Sequence, residues 1–429
     1  MLSSSELKFL LAAFVVSTLP VVPEPLAQTP PRAVAESEVV SGNNQFALAL
    51  YQNLTADESQ KEENVFLSPY SISTALAMTY MGSRGNTQKQ MASVMHTHMP
   101  DAALEAAYSS LLAQTQAKSG NHYELNVANA LWGQQGFHFE TTFTSAIRKY
   151  FDGGFSVVDF HHGREASVAK INQWVEDNTA GKIKGFLQPD AIDDLTRLIL
   201  TNAVYFKGNW ANPFDKTATR TAPFFLQSGK VVRVPMMYQE EHFRYMQEGG
   251  LQMIELPYAG NDLSMVVMLP EHDVEEIGAN LSLHTLRGLR SRMAWRDVEV
   301  YFPRFKFETR FRLERPLSAL GMPDAFDSGK ADFSGMTGHP DLFLSYAIHL
   351  ATLDVNEEGT EAAAAAEFGG TLGGVLLPPV IFNADRPFIF MILHKPTDSI
   401  LFLGRVSNPP DPTPATVDIR YPPRKAGRR

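Results

Sequence analysis

One stretch, Asp354 to Leu377 (DVNEEGTEAAAAAEFGGTLGGVLL), constrains the fold more than any other. It starts as a strand, turns at a charged corner of Glu357 and Glu358, and passes through Gly359 into Thr360 and Glu361. Ala362, Ala363, Ala364, Ala365 and Ala366 follow, then Glu367, Phe368 and two Gly-Gly pairs, and Pro378-Pro379 ends the run. Alanine favours helix, but so short a helix hemmed in by glycine cannot stand alone. In that state the stretch is an exposed loop. Extended, it places Thr360, Ala362, Ala364, Ala366 and Phe368 on one face and Glu361, Ala363, Ala365, Glu367 and Gly369 on the other. The first face is small or apolar and the second carries the charges, the pattern of a strand buried on one side. The segment is written to be a loop in one state and a sheet strand in another.

Around it, the first half of the chain is mostly helical. Asn43 to Leu54 reads as a helix capped by Asn43 or Asn44. Ser68 caps a helix whose first residue is Pro69, where a missing N–H costs nothing. Ser71, in its first turn, reads as a serine bonded to its own backbone. At Tyr123 to Gly133 the apolar period changes to two, which predicts a strand. Leu198 to Phe206 is nearly all apolar, as a fully buried strand is, yet it carries Asn202, which needs partners. Trp210, just after it, reads as core packing. Strands joined by short turns run from Val231 to Leu269, and Leu342 to Val355, with His349, leads into the loop. Helices early and hairpin-linked strands late indicate an α+β fold, with helices packed around large mixed sheets.

Several chemistries are excluded. The chain of 429 residues has no cysteine, so thiolate catalysis, disulfides and thiol zinc sites are out. A formal charge of −10 argues against nucleic-acid binding. No Gly-x-Ser-x-Gly, His-Glu-x-x-His, P-loop or dinucleotide fingerprint occurs. Ser167-x-x-Lys170 lacks its supporting motifs in the right order, and the pairs His96/His98 and His161/His162 read as exposed histidines rather than ligands. No cofactor or metal is expected. Lys8 followed by the apolar run Phe9 to Val16 fits a secretory signal cleaved after Ala27, which makes the protein secreted, or periplasmic in a bacterium. Residues 28–38 then read as a disordered linker, 39–410 as one domain, and 411–429 as a disordered Pro-rich basic tail. No run is long and apolar enough to span a membrane as a helix.

The string Glu357-Glu358-Gly359-Thr360-Glu361-Ala362-Ala363-Ala364-Ala365 resembles the hinge of an inhibitory serpin reactive loop. Further strings resemble the same family in order and at proper spacing: Ser68-Pro69-Tyr70-Ser71, Ile171-Asn172-Gln173-Trp174-Val175, Leu320-Gly321-Met322, Ala331-Asp332-Phe333-Ser334-Gly335-Met336, Asn383 to Phe390, and Phe402-Leu403-Gly404-Arg405-Val406. The resemblance runs from about Val39 to Pro409. It implies large mixed sheets surrounded by about nine helices, with an exposed reactive loop. It implies a monomeric, non-enzymatic protease inhibitor working by suicide-substrate trapping: the loop is cut, an acyl-enzyme forms, and the loop inserts into the central sheet. Carried onto this chain, Ser68, Ser71, Asn202 and His349 match the family's shutter. Trp210 and Arg304 match its breach, with Glu357 pairing to Arg304. Counting from the hinge places the reactive bond at Gly373–Gly374. Counting from Pro378-Pro379 places it at Val375–Leu376, and Leu372 would suit a chymotrypsin-like pocket as small residues suit an elastase-like one. A serine protease of either kind, or a cysteine protease, is the expected partner. A non-inhibitory carrier or chaperone relative is one competing reading, against which the intact hinge argues; a plain protease substrate is the other, and the Gly373–Gly374 site, which offers a protease pocket nothing, keeps it open.

Overall fold

A computed structural model describes residues 32–56, 61–116, 122–188, 191–358 and 378–410. The strands are β1 (Val65–Leu67), β2 (Tyr123–Gln134), β3 (Gly154–Val158), β4 (Leu198–Gly208), β5 (Arg220–Phe225), β6 (Val231–Glu248), β7 (Leu251–Pro257), β8 (Leu263–Pro270), β9 (Ala294–Pro303), β10 (Phe305–Arg312), β11 (Leu344–Val355), β12 (Val380–Asn383), β13 (Phe388–His394) and β14 (Ser399–Val406). The α-helices are α1 (Arg32–Thr55), α2 (Pro69–Met81), α3 (Gly85–Val94), α4 (Asp101–Gln116), α5 (Thr141–Phe151), α6 (Arg164–Asn178), α7 (Val274–Ala279), α8 (Leu283–Ser291), α9 (Glu314–Leu320) and the single turn α10 (Ser334–Thr337). The expected α+β architecture, with large mixed sheets and about nine helices, is what the described residues show; the single turn α10 brings their helices to ten.

The strands form two sheets. One has five strands in the order β10-β11-β4-β2-β3; the other has nine, in the order β1-β14-β13-β8-β7-β6-β9-β12, with β5 added to β6. β4 is buried along nearly its whole length, which is why its sequence is a continuous apolar run rather than an alternating one. Between the sheets, Phe66 of β1 stacks on Phe390 and Phe402 at 5.9 and 5.1 Å and meets Phe307 of the five-stranded sheet edge-on at 6.2 Å. A second, smaller core lies on the other face, where α6 drops Val168, Ile171 and Val175 among Ala128, Ala130, Trp132 and Ala203. Trp174 of α6 meets Trp132 of β2 edge-to-face at 5.6 Å.

The N-terminal helix departs from the sequence reading. It begins at Arg32, so most of the segment read as linker 28–38 is helical. Ala35, Val39 and Val40 recur at helical spacing and are buried, and Glu36 reaches Gln114 of α4 at 3.2 Å. Asn43 and Asn44 are therefore not caps. Both are buried in mid-helix and bonded to distant elements: Asn43 Oδ1 accepts from the hydroxyls of Ser73 and Tyr108, while Asn44 donates to the Asp398 carbonyl (2.8 Å) and accepts from the Ile400 N–H (2.8 Å). Residues 1–31 and 411–429, which carry the leader and tail expectations, lie outside the described residues.

Candidate functional site: the β4–β11 seam and the hinge above it

In the five-stranded sheet, β11 runs parallel to β4 from Leu344↔Leu198 to Asp354↔Lys207, while the flanking pairs β10·β11 and β2·β4 are antiparallel. Parallel pairing is slightly the weaker per residue. The chain leaves the top of β11 at Val355 and re-enters the structure at Pro378, just before β12 of the other sheet. The segment between, with Gly359, Thr360, Glu361, Ala362, Ala363, Ala364, Ala365, Ala366, Leu372, Gly373, Gly374, Val375 and Leu376, lies outside the described residues.

Across the middle of the seam runs a buried polar network. His349 of β11 stands opposite Asn202 of β4, which stands opposite Asn129 of β2. His349 Nε2 accepts the Ser68 backbone N–H at 3.2 Å, so Nδ1 carries the proton and donates to Asn202 Oδ1. The Asn202 amide donates to Ser71 Oγ at 2.6 Å and to Asn129 Oδ1, and Ser71 Oγ donates to Asn129 Oδ1 at 3.2 Å. Ser68 Oγ accepts from the Ser71 N–H at 3.3 Å, capping α2, and donates to the Leu401 carbonyl of β14 at 2.8 Å. Ser68, Ser71, Asn202 and His349 are thus brought together, tying α2 and both sheets to the seam. Sequence reasoning passed over Asn129; its one signal was an asparagine between two alanines, Ala128 and Ala130, in the strand beside Asn202. Ser71 makes these cross-element bonds rather than the bond to its own helix backbone that its position suggested.

Burial pushes the His349 imidazole down to about 3, so it is neutral in the native protein. The unfolded chain has the ordinary histidine value near 6.5. As pH falls from about 6.5 toward 3, the unfolded state gains a proton that the folded state refuses, so stability drops by up to ~1.4 kcal/mol per pH unit from this group and levels off below about 3. Urea midpoints at pH 7 and pH 5 are expected to differ more for the parent than for H349Q; equal slopes would mean that His349 is protonated in place.

The hinge sits at the upper end of the seam. Trp210 stacks flat on Tyr258 (4.6 Å, 8°), meets Phe214 edge-on, and donates its indole N–H to the Asn356 carbonyl at 2.9 Å. Glu357 is 5% exposed; its Oε1 accepts from Thr219 Oγ1 at 2.7 Å and from Arg304 Nη1 at 3.3 Å. Glu358 bridges Lys216 (3.0 Å) and Lys207 (3.1 Å), whose hydrogen bonds and charges hold its carboxyl below the usual range. Being half-exposed, that bridge is worth less than the buried one. The two lysines were not singled out from sequence, where nothing links either of them to Glu358.

Other candidates do not assemble into sites. The His161 and His162 rings lie 4.3 Å apart, tilted by 52°, on the surface beside Asp159. Among the described residues no group of three or more histidines and carboxylates could hold a metal, and no helix is long and apolar enough to cross a membrane.

Comparison with known proteins places the chain. The model of the serpin (serine protease inhibitor) family matches residues 41–409. The chain belongs to the serpin family. It is similar to the leukocyte elastase inhibitors of Equus caballus (41% identical over 382 residues) and Homo sapiens (40% over 383), in each case over 87% of this chain and 100% of the relative. Among solved structures it resembles uncleaved ovalbumin (TM-score 0.79, 30% identity, 87% of this chain and 100% of the other) and native protease nexin-1 with heparin (TM-score 0.76, 30% identity, 89% and 100%).

The same relatives correct the expected localisation. Leukocyte elastase inhibitors are matched along their whole length by a part of this chain, and the family match begins only at residue 41, so no counterpart of the supposed leader comes with them. The secreted or periplasmic assignment is withdrawn. Its signal was weak at the residue level: Glu6 spoils the basic start, and Pro25 sits beside the supposed cleavage point at Ala27.

Proposed function

We infer that this serpin inhibits a serine protease by offering residues 359–377 as bait and then taking the cut strand into the β4–β11 seam. The observation that carries this is the parallel pairing at the seam. A strand continuing from the top of β11 and doubling back between β11 and β4 would run antiparallel to both. One parallel ladder would be exchanged for two antiparallel ones, the more stable kind. About a dozen new ladder residues at ~1 kcal/mol each supply a large drive, enough to move an acylated protease before water releases it. The native state is then kinetically held rather than most stable. The inserting face of Thr360, Ala362, Ala364, Ala366 and Phe368 has no proline and no charge to slow entry. Gly359 gives the hinge its turning freedom.

An elastase-like target is favoured over a chymotrypsin-like one. The bond counted from the hinge, Gly373–Gly374, is flanked by small and aliphatic residues, and the relatives are named as elastase inhibitors. Leu372 and Val375–Leu376 are the alternative positions. The inhibitor acts as a monomer in this reading.

The test mixes the purified protein with elastase, chymotrypsin, trypsin, subtilisin and a papain-like protease, runs a denaturing gel and weighs the released C-terminal fragment. A band that survives denaturation at the summed mass is expected with elastase, and the fragment mass names the bond. Cleavage by every protease with no such band would leave the protein a plain substrate.

A further inference from the structure

The segment after α6 covers the β4–β11 seam on the face where the smaller core lies, and it is tied down from both sides. Phe186 and Leu187 share that core with Ile199 and Ala203 of β4 and with Ile348 and Leu350 of β11. On the β4 side, Asn172 of α6 donates to the Leu187 carbonyl (2.9 Å) and accepts from the Leu187 N–H (2.6 Å). Lys184 reaches Glu176 of α6 at 2.8 Å. Lys182 reaches Glu124 of β2 at 3.3 Å and lies over the Tyr205 ring of β4 at 5.0 Å. From the β11 side comes Arg310 of β10. Its Nη1 donates to the Phe186 carbonyl at 2.6 Å and its Nη2 to the Gly185 carbonyl at 3.1 Å, while its carboxylate neighbour Glu308 stands off at 3.7 Å. Arg310 is opposite Leu350, and Leu350 is opposite Ala203, so the guanidinium crosses at mid-seam, one residue from the His349–Asn202 pair.

We propose that Arg310 is a strap across the seam, a positioning residue that sets how fast a strand can enter; this rests on the reading of residues 359–377 as bait. A strand entering between β11 and β4 moves them apart by one strand spacing, about 4.8 Å. β10 is paired to β11 from Phe305↔Val355 to Arg312↔Ile348, so it travels with β11. Residues 182–187 are bonded to α6 and β2, and α6 is keyed onto β2 by Trp174 against Trp132, so they stay with β4. The two Arg310 bonds therefore join a part that moves to a part that does not. Neither survives such a displacement, since a hydrogen bond ends beyond about 3.5 Å. They break while the seam opens, before the new ladders form, so their loss belongs to the barrier. The planar fork of a guanidinium suits the task, because it serves two successive carbonyls at once where an ammonium is a single point of charge.

The experiment isolates seam opening from protease chemistry. A fluorescein-labelled synthetic peptide with the sequence of residues 360–372 is incubated with the uncut full-length protein, and its uptake is followed on a native gel for the parent, R310A, R310K and R312A. R310A is expected to take up peptide about fivefold faster than the parent, and R310K to fall between them. R312A is the control: Arg312 bonds Glu314 at 3.2 Å and lies over the Tyr346 ring at 4.4 Å, contacts wholly on the β10–β11 side, so its loss is expected to leave the uptake rate unchanged. Melting temperatures are measured alongside. An R310A protein that melts lower but takes up peptide at the parent's rate makes Arg310 a stabiliser only and overturns the strap, as does an R312A protein that gains as much speed as R310A. A parent that takes up no peptide and forms no covalent band with any protease overturns the bait reading, and this proposal with it.

Discussion

Thr360→Arg turns the inhibitor into a substrate: the expected result is a cleaved protein, an active protease and little or no covalent band. Thr360 is the first residue of the inserting face past Gly359. Its slot would be the mouth of the seam, beside the Asp354↔Lys207 pair that closes it. Thr352, two residues down β11, already fills its inward position with a small hydroxyl side chain that is 6% exposed. An arginine entering there must shed its water in a place built for a hydroxyl, a cost of several kcal/mol. Entry is the first step of insertion, so the whole strand waits behind it. Each 1.4 kcal/mol added to that barrier slows insertion about tenfold. Hydrolysis of the acyl-enzyme is not slowed, and it wins. The readout is the ratio of covalent to cleaved product at fixed protease, and inhibition equal to the parent's would sink the insertion mechanism.

The second large effect is thermal. Cutting within residues 359–377 is expected to raise the melting temperature by an amount on the order of 20 °C, because about a dozen ladder positions at ~1 kcal/mol each are gained by a chain that loses only one peptide bond. Calorimetry before and after limited proteolysis measures it. Most proteins lose stability when nicked, so the sign alone discriminates. A cut protein that melts where the intact one does has inserted no strand.

Much of this was legible in the sequence, and the misses share a cause. The continuous apolar run of β4, the alternation of β2 and the two-state face of residues 360–368 follow from period and composition, which are local. His349 and Asn202 could be suspected because each is polar in an apolar strand. Asn129 could not, because its importance lies in standing across from Asn202, and register between distant strands is not written in spacing. The same holds for Lys207 and Lys216, joined only by their shared carboxylate on Glu358. Asn43 and Asn44 misled in the opposite direction. Their residue type suits a helix cap, but long-range partners on α2, α4 and β14 let both sit inside a helix instead. The charged corner at Glu357 and Glu358 was visible, and the family resemblance supplied the pairing of Glu357 with Arg304; that Glu358 is spread over two lysines was not visible.

The bait segment is a bridge between sheets: it leaves from β11 of the five-stranded sheet and returns to β12 of the nine-stranded one. Severing it divides the molecule into two polypeptides of very unequal size, yet the smaller one keeps its anchorage. It retains β12 against β9, and β13 and β14 locked between β8 and β1, with Phe390 and Phe402 stacked on Phe66. A nicked molecule is therefore a non-covalent heterodimer of its own fragments. It would elute as one body from a sizing column and fall into two only in detergent. Any search for the reactive bond by mass has to be made on the denatured protein.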